Sequence, residues 1–173
     1  NKNRVGLQAE INAVELWELT HSEIETGNIK WLASLIWAEP NHDQIAALGR
    51  VLLQHKAYFK FQPPNFLIYD PVKVEANLAA IEANRRRQLI ITQGHEFLKS
   101  LWKHITSSQA PKPEDPDPEV AAELKEMLLH GMADPDHRQL TGLWSEVRRG
   151  LPEHEHLPLL LAQAWGLVPT HYN

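Results

Sequence analysis

The residues best suited to chemistry fall into a few short groups. His154-Glu155-His156, with Glu153 beside it, offers imidazole and carboxylate groups of the kind that hold zinc or manganese. Side chains two positions apart diverge on a helix, however, and no second His/Asp pair at ligand spacing supports them. These residues read as a solvated loop and not as a metal centre. Asp115 and Asp117 alternate with Pro113, Pro116 and Pro118. In so extended a segment the carboxylates lack neighbours that would tune them for acid or base work. Arg85-Arg86-Arg87 is the densest positive charge, and guanidinium groups clamp phosphates well. Consecutive side chains fan around a helix, so a solvated face is the favoured reading. The better patch is Lys56, Lys60 and Lys30 interleaved with Tyr58, Phe59 and Phe61, since lysines hold phosphates and aromatic rings stack on bases. Alternation along a strand turns at least half of those rings inward. No catalytic constellation stands out, and no catalytic residue is assigned.

Composition narrows the class. With 173 residues the chain is long enough to bury a core as one domain or two small ones, and 43% hydrophobic with 23% charged residues is globular. There is no cysteine, which excludes disulfides, a thiolate nucleophile and cysteine-ligated zinc and fits a reducing, cytoplasmic setting. No apolar run approaches the ~20 residues that span a bilayer, so no membrane partner is expected. Net charge is −5 but uneven: residues 1–106 carry twelve Lys and Arg against eleven Asp and Glu, while residues 107–173 carry five against eleven. Neither part has the strongly basic footprint of an autonomous nucleic-acid binder, so any such binding is local. The chain begins at Asn1 rather than Met, which suggests a piece of a longer protein.

Elements must position these groups. Apolar spacing predicts a first helix over Leu7–Leu19, with Ile11, Val14 and Leu7 on one face. Thr26-Gly27-Asn28 supplies an N-cap for a helix from Ile29 to Trp37, whose inner face is Ile29, Leu32, Ala33 and Ile36. Glu39-Pro40-Asn41 stops it, and Asn41 caps a second helix over His42–His55. That helix has an inward stripe of Ile45, Leu48, Gly49 and Leu52, with Asp43, Gln44, Ala47, Arg50 and Gln54 outward. A hairpin follows, Tyr58-Phe59-Lys60-Phe61 and Phe66-Leu67-Ile68-Tyr69 about a Pro63-Pro64-Asn65 turn. Pro71 opens a long helix reaching Ile105, with a bend or break allowed at Gly94. The segment 107–118 is a proline-rich linker. Helical candidates Glu119–His130, Asp136–Arg149 and His156–Trp165 follow it. The fold class is therefore mainly α: a winged helix-turn-helix with a short β-hairpin wing (1–70), a long helix (71–106), the linker, and a small C-terminal helical part (119–173). That last part reads as too small and too apolar to stand alone.

One stretch has a family likeness. Asp43-Gln44-Ile45-Ala46-Ala47-Leu48-Gly49-Arg50-Val51-Leu52-Leu53, followed by Ala57-Tyr58-Phe59-Lys60, resembles the region upstream of the catalytic domain in bacterial exoribonucleases of the ribonuclease II (RNB) family. The likeness is to the branch with an N-terminal winged helix-turn-helix. Leu16-Trp17-Glu18-Leu19, Leu32-Ala33-Ser34-Leu35 and Phe97-Leu98 are similar to its successive helices. Ala164-Trp165-Gly166-Leu167 and His171-Tyr172-Asn173 look like the approach to the RNB domain. The likeness covers residues 14–105 and, more loosely, 156–173. The family's magnesium-binding aspartate cluster has no match here, nor does a barrel-like segment ahead of the helix-turn-helix.

The resemblance implies a non-catalytic N-terminal region of a cytoplasmic, magnesium-dependent 3′-to-5′ exoribonuclease. Its partners would be single-stranded RNA and the parent's own catalytic domain, and this chain would itself hold no cofactor. RNA contacts are expected from Lys56, Lys60, Arg50, Tyr58, Gln44 and Arg86. The competing readings are a winged-helix DNA-binding transcription regulator and a protein-interaction scaffold. Against the regulator, the outward face of the second helix offers only Gln44, Arg50 and Gln54 to base edges, with Asp43 repelling phosphate.

Overall fold

The computed structural model describes residues 2–133 and 142–169. The chain is mainly helical with one small antiparallel sheet, and it divides into compact units at residues 1–82 and 83–173. The division falls inside the long helix rather than at its start. No helix among the described residues is long and apolar enough to cross a membrane.

The N-terminal unit opens with two helices where apolar spacing suggested one, α1 (Lys2–Glu10) and α2 (Ala13–Thr20). Asn12 causes the break. Its backbone is extended and its side-chain oxygen accepts the Glu15 N–H at 3.1 Å, so it caps a fresh helix. The restart also rotates the buried stripe to Ala13, Leu16 and Thr20, leaving Val14 and Ile11 half-buried. A strand that the sequence reading lacked follows, β1 (Thr26–Asn28). Thr-Gly-Asn has little intrinsic strand preference, and it is pairing with the hairpin that makes it one. Asn28 then caps α3 (Ile29–Ser34) by accepting the Trp31 N–H at 2.8 Å. This helix ends short of the expected Trp37, and Ile36, placed on the inner face by spacing, is exposed. Proline at 40 disfavours helical backbone at Glu39, and the chain has already begun to leave the helix.

Asn41 and Gln44 form a reciprocal capping box at the start of α4 (His42–Gln54). Asn41 accepts the Gln44 N–H at 2.8 Å, and Gln44 accepts the Asn41 N–H at 2.9 Å. The buried stripe of α4 is Ala47, Leu48, Val51 and Leu52. Ala47, expected outward, is fully buried, while Ile45 and Gly49 are half-buried. The core thus lies about one residue round the helix from where spacing alone put it, because α4 is packed against both α1 and α3.

The hairpin strands are β2 (Phe59–Gln62) and β3 (Asn65–Ile68). The sheet order is β1-β3-β2, all antiparallel, with Thr26 opposite Leu67 and Phe59 opposite Ile68. Paired residues share a face. Phe59, Phe66 and Ile68 face the core, and Lys60, Gln62, Asn65, Leu67, Thr26 and Asn28 form the outer face. Gly27 lets the Trp31 ring approach closely: a Cβ there would meet it at 3.2 Å, so a side chain would need the ring to shift by a few tenths of an ångström. The Trp17 indole N–H donates to the Tyr69 carbonyl at 2.6 Å, tying α2 to the end of the sheet.

Asp70 caps α5 (Pro71–Thr106) by accepting the Lys73 N–H at 2.8 Å, with Pro71 in the first turn as expected. The helix runs 36 residues without interruption, so the break allowed at Gly94 does not occur. Gly94 serves packing instead. A Cβ would lie 3.0 Å from Leu124 and 3.2 Å from Val147.

In the C-terminal unit the second half of α5 shares a core with α6 (Pro118–Ala133), α7 (Leu143–Val147) and α8 (Leu157–Trp165). Ile90, Phe97, Leu98 and Leu101 pack on Val120, Leu124, Leu128, Trp144, Leu161 and Trp165. The C-terminal helices therefore have their own apolar partner in α5. The first six residues of the helix expected over Asp136–Arg149 lie outside the described residues, and the described helix runs from Leu143 to Val147. The proline-rich stretch is not a free linker. Asp117 and Gln93 exchange two hydrogen bonds at 2.9 and 3.2 Å, Asp115 accepts the Trp165 indole N–H at 2.8 Å, and Lys112 donates to the Trp165 carbonyl at 3.2 Å. Proline denies this segment a helix, but its polar groups still find partners on α5 and α8.

Candidate nucleic-acid interface

The charged and aromatic residues singled out from sequence fall on the α3–α4 face, on the hairpin and on α5, and they differ in what already occupies them. Arg50 is exposed on α4, one turn before Gln54. Lys56 is exposed in the short connection from α4 to β2, and Lys60 stands on the outer face of the sheet beside Leu67. No ion pair engages Arg50, Lys56 or Lys60 among the described residues. Lys30, in the first turn of α3, is exposed in the same way.

The other expected contacts are committed elsewhere. Gln44 spends its side-chain carbonyl on the capping box, where releasing it would uncap α4. Arg86 donates to Glu123 at 2.6 Å, and Arg85 lies 3.5 Å from Glu119. Acidic residues of α6 thus neutralise part of the arginine run, a cross-helix pairing that helix periodicity alone does not reveal. Tyr58 is half-buried, its ring edge-on to Trp17 at 5.3 Å, and Trp17 in turn stacks on His21 at 4.4 Å. Phe59 is buried in the core. The ring the hairpin does offer is Phe61, 48% exposed and 5.0 Å from Phe66. Its signal in the sequence is its place next to Lys60, and alternation along the strand left open which of the rings turn inward. Position near the hairpin end, beyond the edge of the core, is what exposes it.

Asp43 does not act as the isolated repulsive charge its position on α4 suggested. The Arg4 guanidinium donates to it at 2.8 Å, and this hydrogen bond holds the Asp43 carboxyl below the usual carboxylate range. Desolvation opposes that shift, and the positive charges of Arg4 and the chain's N-terminus add to it. The pair leaves this end of α4 locally neutral.

The arrangement suits charge pairing with phosphates and stacking on a base, both of which tolerate any sequence. Elsewhere, His154 and His156 sit in an exposed loop, with the His154 ring accepting the His156 N–H at 3.0 Å. Among the described residues no three His, Cys, Asp or Glu side chains stand together as a metal site. Compared with protein-family models, with curated proteins and with solved structures, the chain finds no match in any of the three.

Proposed function

We propose that this chain is the non-catalytic N-terminal region of an RNB-family 3′-to-5′ exoribonuclease, and that its first unit is a winged helix that holds single-stranded RNA. The order helix, strand, helix, helix, hairpin, with β3 between β1 and β2, supports the winged-helix reading. The observation that carries the RNA reading is the set of exposed cations Arg50, Lys56 and Lys60, which no ion pair engages among the described residues, together with the exposed ring of Phe61 on the same hairpin. Lysine and arginine would meet phosphates, Phe61 would stack on a base, and Tyr58 would brace the hairpin from behind. Gln44 and Arg86, engaged by the capping box and by Glu123, take a lesser part. Magnesium belongs to the parent's catalytic domain, where it would activate water for phosphodiester hydrolysis, and no step of that reaction is assigned to this chain.

The test is fluorescence anisotropy of a labelled oligouridine with the intact chain. Charge reversal at Lys56 and Lys60 together is expected to abolish most binding, and the chain with magnesium is expected to leave the RNA uncut. Unchanged affinity in that double variant, or cleavage of the RNA by pure protein, sinks the reading.

Duplex DNA reading is disfavoured by the capping role of Gln44, which leaves α4 little to offer base edges. The scaffold reading draws on a different observation, the exposed Trp31, Leu35 and Ile36 around the end of α3. Loss of a protein partner on Leu35→Asp, with RNA affinity intact, is the result that favours it.

A further inference from the structure

The C-terminal unit carries a concave surface that none of the residues above explains. An open hollow of about 650 Å³ lies along α5 and is also lined by Glu146 and Arg149. A second hollow of about 550 Å³ continues it toward Gln109, and the two share Ser100 and Lys103. Together they form one trough within this unit. Its floor presents His95, Lys99 and Lys103, spaced four residues apart on a single ridge of α5. Such residues stack one above the other, each about 6 Å further along the helix axis.

The occupancy of these groups is informative. Lys99 and Lys103 are exposed and have no ion-pair partner among the described residues. Arg149 is paired with Glu146 at 3.3 Å, so that wall is internally neutralised. Glu96 is the remaining negative group, and Thr92 and Ser100 add hydroxyls that can donate. His95 sets its Nδ1 against the Val147 carbonyl at 3.3 Å, and because a carbonyl only accepts, Nδ1 carries the proton. Nε2 is then the position left to meet a ligand, as an acceptor when the ring is neutral and as a donor when it is charged. The ordinary account of surface lysines is a solvated helix face. It does not explain why the unpaired cations share one ridge with an anchored imidazole at the bottom of a trough. By contrast, Arg85 and Arg86, earlier on α5, are met by Glu119 and Glu123 of α6.

We propose that this trough is a second site for single-stranded RNA, taking the phosphate backbone along the His95–Lys99–Lys103 row. Two lysines one helical turn apart, Lys99 and Lys103, fit successive phosphates of a strand better than they fit a compact anion. The lining contains no Phe, Tyr or Trp, so the contact is to backbone and carries no base preference. With Glu96 also present, attraction is modest and falls steeply with salt. The identity of the strand rests on the RNA reading of the first unit, but the trough itself lies in the other unit.

The experiment is anisotropy of a labelled oligouridine against the intact chain over a series of salt concentrations. It compares the parent with Lys99→Gln/Lys103→Gln and with Lys56→Gln/Lys60→Gln. Loss of the two α5 cations is expected to weaken binding several-fold and to lower the slope of log affinity against log salt by about 1.4, at ~0.7 per phosphate contact for single strands. Lys99→Arg/Lys103→Arg, checked for native circular dichroism like the others, is expected to keep the parental affinity and slope. If Lys99→Gln/Lys103→Gln binds as the parent does while Lys56→Gln/Lys60→Gln is weakened, the trough is not an RNA site and the first-unit reading stands. The reverse pattern removes the first-unit site and leaves the trough. Loss of binding in the arginine pair as well would overturn the charge argument, and no binding by the parent overturns both proposals.

Discussion

At Asp43 a single contact reverses what the residue type implies. The Arg4 hydrogen bond lowers the Asp43 pKa in the folded chain relative to about 3.9 when unfolded. A lowered folded value adds stability above the unfolded pKa and loses it as pH falls through the folded one. Arg4→Gln is therefore expected to raise the Asp43 pKa toward its unfolded value, read by following the side-chain carboxyl in an NMR titration. An unchanged titration would mean the pair does not persist in solution. Trp17 offers a second case. Its N–H reaches the Tyr69 carbonyl at 2.6 Å, and Trp17→Phe keeps a ring while deleting that donor. The loss is expected to cost about 1–3 kcal/mol, since a partly buried carbonyl is left unpaired, and urea unfolding measures it. Both residues were visible in the sequence as types, but neither partner was. Arg4 lies 39 residues from Asp43 and Tyr69 lies 52 from Trp17, separations that no helical or strand period spans.

Helices and strands show a finer division. Caps are local, and so Asn28, Asn41 and Pro71 marked true helix starts from sequence. Asn12 carries the same signal, but the apolar spacing runs on across it and masks the restart. Gly94 is the converse case. Intrinsic propensity argued for a weak point in α5, but the glycine lets Leu124 and Val147 approach the helix backbone closely. Gly94→Ala should gain ~1 kcal/mol in helix propensity and lose about 1–3 kcal/mol to overpacking against two fully buried side chains. The expected result is a lower melting temperature, and a higher one would show that Leu124 can shift aside. The 107–117 strap makes a third test. Asp115→Ala with Asp117→Ala removes the acceptors of the Trp165 and Gln93 bonds. Glutamyl endopeptidase should then cut after Glu114 several times faster than in the parent, provided the strap is what protects that bond. Equal cutting rates would mean the strap is no better held than a free linker.

For the molecule as a whole, the sequence by itself determined the mainly α character, the hairpin with its proline turn, the start of the long helix and the presence of lysines next to aromatic rings. These depend on periodicity, caps and turn residues, all of which act over a few positions. Only the tertiary structure decided which of those groups remain free. It drew Arg86 to Glu123 and Gln44 into its cap, turned Tyr58 toward Trp17, and left Phe61, Lys56, Lys60 and Arg50 open. It also made a strand of Thr26–Asn28 and set His95, Lys99 and Lys103 in a trough by placing α7 beside α5. The physical reason is the same in each case. A side chain's local period says which face of an element it occupies, whereas its availability depends on what distant segments bring against that face.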